Sequence, residues 1–174
     1  MCPAHVPLVQ SPLAVGQPMP ELVLFDLEGQ ALSTPALTQK TALWIFFRGN
    51  WCPLCMAQIR EVADAYRQLQ ARGVEVYLIS PQPQSHTLAL AERFQAPMRF
   101  LRDADNQAAK RLGVLAKGGL PTGLQALGYD SDVPMPTVFI TAPGGRVAYS
   151  DLTDNYRIRP EPSEFFKALD AAGL

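Results

Sequence analysis

Apolar and polar positions follow two different periods along this chain, and the switches between them mark the elements. Ala42 to Phe47 (ALWIFF) is apolar without interruption, the pattern of a strand covered on both faces. A short loop follows, Arg48-Gly49-Asn50-Trp51. The period then changes, and Ile59, Val62, Tyr66 and Leu69 recur at helical spacing as one stripe. Pro53 suits the first helical position, where its missing N–H costs nothing, and Gly73 ends the helix. Val74 to Ser80 (VEVYLIS) reads as the next strand. Ser85 is expected to cap a helix running to about Phe94, with Leu88, Ala91 and Phe94 on one face. Met98 to Leu101 is a short third strand, and Asp103-Ala104-Asp105 opens a helix ending near Leu112-Gly113.

Two further strands, Thr137–Thr141 and Arg146–Asp151, are joined at Pro143-Gly144-Gly145, which reads as a hairpin turn. Glu161 to Ala172 closes the chain as an amphipathic helix with Phe165, Phe166 and Leu169 facing inward. A smaller hairpin, Leu22 to Leu32 around Glu28-Gly29, precedes the main pattern. Between Lys117 and Pro136 lies a loop of roughly 20 residues, long enough for a functional role. The order is βαβα, a connecting segment, a ββ hairpin and a helix. That order predicts an α/β three-layer sandwich around a mixed sheet, with an N-terminal β-hairpin. One domain is expected over 16–174, behind a loose, Pro-rich start over 1–15.

Composition narrows the function. The 174 residues are 48% hydrophobic, with 15 Lys and Arg against 16 Asp and Glu and a net charge of -1. This predicts a globular chain with no electrostatic footprint for nucleic acid or an anionic membrane. The apolar run at Thr41–Phe47 falls far short of the about 20 residues that span a bilayer. No basic stretch followed by an apolar one begins the chain, so no secretory leader is predicted and the cytoplasm is the expected compartment.

The chain has 3 cysteines, too few for a disulfide framework. Cys52 and Cys55 stand where the buried strand hands over to the helix. A helix N-terminus offers free N–H groups and partial positive charge, which lower a thiol's pKa. The two-residue gap lets both thiols share the first turn and close a reducible disulfide. A zinc site needs further ligands, and Cys2, His5 and His86 are not paired at metal spacing. Inert core cysteines are the plain alternative. By helical phase Cys55 continues the stripe of Ile59 and leans inward, while Cys52 sits at the cap, nearer solvent. Val133-Pro134-Met135-Pro136-Thr137 leads into an apolar strand; a cis bond before the proline is compatible with that position, and an ordinary strand-entry proline is the alternative that base rates favour. His86 is expected on a solvated helix face, and Trp51 beside the thiol pair.

These residues resemble the thioredoxin-fold superfamily, and within it the peroxiredoxin-like alkyl hydroperoxide reductase / thiol-specific antioxidant family. The carriers are FFRGNWCPLC (46–55) with the helix after it, FLRDADNQAAKRLGV (100–114) and MPTVFI (135–140). The resemblance covers about residues 16 to 172 and implies a thioredoxin-like α/β/α sandwich. It implies an antioxidant oxidoreductase in which Cys52 and Cys55 cycle between dithiol and disulfide, supported by Arg48, Trp51, Pro53, Met135 and Pro136. Peroxide is the implied substrate, with protein disulfides the alternative. A thioredoxin-type donor is the implied reductant, no cofactor or metal is implied, and a homodimer is one state open to the chain. A non-enzymatic binding module on the same fold is the third reading.

Within that resemblance Cys55 falls on the peroxidatic position, and Cys52 replaces a hydroxyl residue. Read as a thioredoxin, Cys52 is instead the attacking thiol. Pro136 matches the superfamily's cis-proline. No arginine stands near Met135, where peroxiredoxins place one, which leaves Arg48 and Arg157 as candidates for that role.

Overall fold

The computed structural model describes residues 11–152 and 157–174. Cys2, His5 and the first ten residues of the Pro-rich start lie outside the described residues.

The sequence elements form in the predicted order. The small hairpin is β1 (Val23–Phe25) with β2 (Ala31–Ser33), followed by a one-turn helix α1 (Thr34–Leu37). The ALWIFF run is β3 (Ala42–Phe46), and the stripe of Ile59 to Leu69 lies on α2 (Pro53–Ala71). Then come β4 (Glu75–Ser80), α3 (Gln84–Phe94), β5 (Arg99–Arg102), a 3₁₀ turn and α4 (Gln107–Leu112). The chain closes with β6 (Leu115–Ala116), β7 (Val133–Pro134), β8 (Thr137–Thr141), β9 (Val147–Leu152) and α5 (Pro162–Ala172).

Seven strands make one mixed sheet in the order β2-β1-β5-β4-β3-β8-β9. β3, β4 and β5 run parallel, as βαβ crossovers require, while β8 pairs antiparallel to β3 and β1 to β5. β3 is therefore internal, and its alternate residues serve opposite faces. Leu43, Ile45 and Phe47 pack with Ile59, Val62, Leu69, Phe165 and Leu169 of α2 and α5. Trp44 and Phe46 pack with Leu37, Ala108, Ala109 and Leu112 beneath α1 and α4. That is why this strand reads as continuously apolar: neither face meets water. Leu13 is also fully buried in the second cluster, and Gly16 and Gln17 bond to Val147 along the β9 edge.

Three local expectations are corrected. Ser85 lies within α3, whose N-cap is Pro83. Leu88 is exposed while Thr87 and Leu90 are buried, so Leu88 leaves the inner face of α3, on which Ala91 and Phe94 pack against the core as expected. A periodicity built on Leu88 missed this because Thr87 turns inward to bond Gln82 and the Pro83 carbonyl. No peptide bond among the described residues is cis, so Pro136 enters β8 through a trans bond.

Asp103 caps α4 as expected of an Asp at a helix start. It is 1% exposed, and its two carboxylate oxygens accept from the backbone N–H groups of Ala108 (2.8 Å) and Ala109 (2.9 Å). Asp103→Ala strands both donors in the interior. The expected loss is about 3 kcal/mol, read as a lowered urea midpoint at unchanged slope.

Candidate active site

The strand-to-helix junction delivers both cysteines to one place. Arg48 to Trp51 leave β3, the backbone turns with Cys52 N–H donating to the Gly49 carbonyl (3.2 Å), and Cys52 becomes the N-cap of α2. Its sulfur accepts the backbone N–H of Cys55 at 3.3 Å, as a serine oxygen does at an ordinary cap. Pro53 occupies the first helical position and is exposed. Gly49 is obligatory for close approach, because a Cβ there would come within 2.5 Å of Trp51 Nε1.

Cys52 and Cys55 are not joined in a disulfide. Cys55 is 0% exposed, as its helical phase predicts, and Cys52 is 3% exposed. Cys52 is at the cap and the nearer of the two to solvent, as expected, but is itself buried. Arg159 arrives from the β9–α5 connection and lies over the pair. Its Nη2 donates to Cys55 Sγ at 3.3 Å and to Cys52 Sγ at 3.7 Å, and its Nη1 donates to Gln58 Oε1 at 3.2 Å. Gln58 is one helical turn past Cys55 and buried. Arg159 Nε and Gln58 Nε2 remain buried with no hydrogen-bond partner.

Arg48, one of the two arginines singled out in the sequence, also acts on the pair, its charge favouring the Cys52 anion and its backbone N–H donating to Cys55. Arg157 is exposed. Arg48 sits over the Trp51 ring at 4.9 Å and donates to the Gly119 carbonyl at 2.7 Å. Trp51 packs against the core cluster containing both cysteines and also against the one containing Met135. Pro136 is buried at the start of β8. Arg159 carried no signal in the sequence, being 104 residues from Cys55 and in no spacing relation to it. Among the described residues no three His, Cys, Asp or Glu side chains gather as a metal would need, and the sulfurs' third neighbour is a cation.

The electrostatics divide the pair. Cys52 is lowered from 9.0 to about 6, chiefly because the Cys55 thiol donates a hydrogen bond to its sulfur. Burial opposes this, and the Cys55 backbone N–H, Arg159 and Arg48 add to it. Cys55 is pushed up, first by burial and then by the same hydrogen bond, which holds its proton in place. So the shared proton resides on Cys55 and the negative charge on Cys52.

This charge also makes stability depend on pH. Between pH 6 and 9 the folded, reduced chain holds Cys52 ionised while the unfolded chain keeps it protonated. Stability from this group is fully present above pH 9 and is lost as pH falls through about 6. In a Cys2→Ser background, alkylation of Cys52 by iodoacetamide is expected to titrate with a midpoint near 6 rather than the about 8.5 of a free thiol. A midpoint at the free-thiol value contradicts the charge assignment.

Comparison with known proteins gives the same frame. The AhpC/TSA family matches residues 15–150. The chain is 31% identical over 111 residues to thiol-disulfide oxidoreductase ResA of Geobacillus thermodenitrificans, covering 63% of this chain and 62% of that one. It is 26% identical over 116 residues to chloroplastic peroxiredoxin Q of Oryza sativa subsp. japonica, covering 66% and 54%. The matched part thus spans less than two thirds of these relatives' own lengths. Among solved structures, Enterococcus faecalis AhpC superposes with a TM-score of 0.72 at 21% identity, covering 91% of this chain and 92% of that one. Peroxidoxin BcpB of Mycobacterium tuberculosis does so with 0.70 at 20%, covering 91% and 96%. Both support the thioredoxin-like fold.

Proposed function

The chain belongs to the AhpC/TSA family, and from that premise we propose that it is a thiol-dependent peroxidase. The observation that carries this reading is the Arg159 guanidinium in hydrogen-bond reach of both sulfurs, with spare N–H donors on Arg159 and Gln58 beside it. Buried donors without partners are costly, and the oxygens of a hydroperoxide are acceptors that fit them.

In this mechanism the Cys52 thiolate attacks the terminal, hydrogen-bearing oxygen of ROOH. The S–O bond forms, the O–O bond breaks, and the leaving alkoxide is stabilised by Arg159 and takes up a proton from solvent as ROH. Cys52 is left as a sulfenic acid. The Cys55 sulfur then attacks Cys52 Sγ, forming the disulfide and releasing water made from the sulfenic hydroxyl and the Cys55 proton. An external dithiol, most simply a thioredoxin-type protein, restores both thiols by disulfide exchange. Such cycling belongs to a reducing compartment, which agrees with the cytoplasm. No helix among the described residues is long and apolar enough to cross a membrane.

One observation favours a second reading. An ionised N-cap cysteine followed by a protonated, buried one is also the order a disulfide reductase needs. Stopped-flow mixing of the reduced protein with hydrogen peroxide separates the two. Sulfenate forming faster than insulin is reduced supports the peroxidase. Rapid insulin reduction with sluggish peroxide oxidation overturns it.

A further inference from the structure

The loop between β6 and β7 reaches back to the cysteine-bearing segment at three separate points. The Gly119 carbonyl accepts from Arg48. The Tyr129 hydroxyl donates to Asn50 Oδ1. Trp51 packs into the small core of Leu120, Tyr129, Val133 and Met135. Three of the four residues immediately before Cys52 are thus fixed by one loop.

Asn50 is gripped from its other side as well. Its backbone N–H donates to Gln82 Oε1 at 2.8 Å, and the buried Gln82 is anchored on α3 by its Nε2, which donates to Thr87 Oγ1 at 3.3 Å. Tyr129 is held in turn by His86, whose ring stacks on it at 4.8 Å and 16°. His86 is thus half-buried against this loop, which corrects the expectation of a solvated ring. The chain Thr87–Gln82–Asn50–Tyr129–His86 begins and ends on α3, and its middle member is two residues from the reactive sulfur.

We propose that Tyr129 is a positioning residue for Cys52, its hydroxyl holding Asn50 and through it the turn that sets the Cys52 sulfur at the N-terminus of α2. The proposal rests on reading Cys52 as the attacking thiol. The groups that act on that sulfur are the Cys55 thiol and backbone N–H, Arg159 and Arg48. Tyr129 is not among them, so any influence it has on Cys52 must pass through the segment 48–52. Interactions at a helix terminus fade within one turn, and a displacement of about 1 Å is enough to weaken a reacting geometry substantially.

The test is a double-mutant cycle in the full chain with Cys2→Ser: Tyr129→Phe, Asn50→Ala and both together. The readouts are the pH dependence of Cys52 alkylation by iodoacetamide, located by peptide mass spectrometry, and the melting temperature. Tyr129→Phe is expected to raise the alkylation midpoint by about half to one pH unit, which is up to about tenfold less thiolate below the midpoint. The double variant is expected to be no worse than Asn50→Ala alone, because both remove one interaction. An unchanged midpoint overturns the proposal even if the melting temperature falls, since Tyr129 is then only a brace. Additive effects overturn it too, by placing the two residues on separate routes. A parent protein whose Cys52 titrates like a free thiol refutes the underlying reading instead, and the proposal with it.

Discussion

Cys52→Ser is expected to abolish peroxide turnover entirely, whereas Cys55→Ser should keep the first oxidation and lose the cycle. The asymmetry comes from where the proton sits. The Cys55 thiol is the largest stabiliser of the Cys52 anion, and a serine hydroxyl at position 55 can donate the same hydrogen bond. Cys55→Ser should therefore retain a depressed Cys52 pKa and a fast burst of one oxidising equivalent. It then stops at the sulfenic acid, which dimedone traps. Cys55→Ala removes the donor as well, and its Cys52 midpoint should move up toward the ordinary value of 9.0. The reverse result, a burst in Cys52→Ser and none in Cys55→Ser, would hand the attacking role to Cys55, the position that the peroxiredoxin resemblance favours.

Arg159→Ala should slow oxidation by hydrogen peroxide about a hundredfold, the scale on which loss of one preorganised donor to a developing anion is felt. It should also raise the Cys52 midpoint, because Arg159 is one of the two cations lowering it. Arg159→Lys tests geometry against charge. An ammonium supplies the charge but lacks the planar fork that reaches Cys52, Cys55 and Gln58 together. Partial recovery of the midpoint with little recovery of the peroxide rate is the expected split. Full peroxide activity in Arg159→Ala would remove the main support for the peroxidase reading. If insulin reduction rose in the same variant, the guanidinium would be acting as a cover that keeps larger substrates out.

Each element legible in the sequence rests on local physics. ALWIFF is a two-faced strand because apolar residues on both pleats have to be buried. Pro53 and the stripe from Cys55 to Leu69 fix the start and the inner face of α2 without help from the rest of the chain. A sulfur at that helix start inherits the N–H groups of the first turn, so the redox pair, its location and the inward lean of Cys55 were all readable. The inward place of Thr87 on α3, in front of an exposed Leu88, was not, because Thr87 is buried by bonds to Gln82 and Pro83 and no apolar period reports a satisfied hydroxyl.

Tertiary structure alone brought Arg159 to the pair, beside the Arg48 already legible in the sequence, and decided how far the pair is exposed. Arg159, Gly119 and Tyr129 come from segments folded back over the strand-to-helix junction, tens of residues or more from Cys52 and Cys55. Sequence spacing encodes only what one strand or one helix brings together. The guanidinium over two thiols and the hydroxyl on Asn50 exist because the sheet order sets β8 beside β3, and so returns the late chain to the place where the early chain exposes its sulfurs.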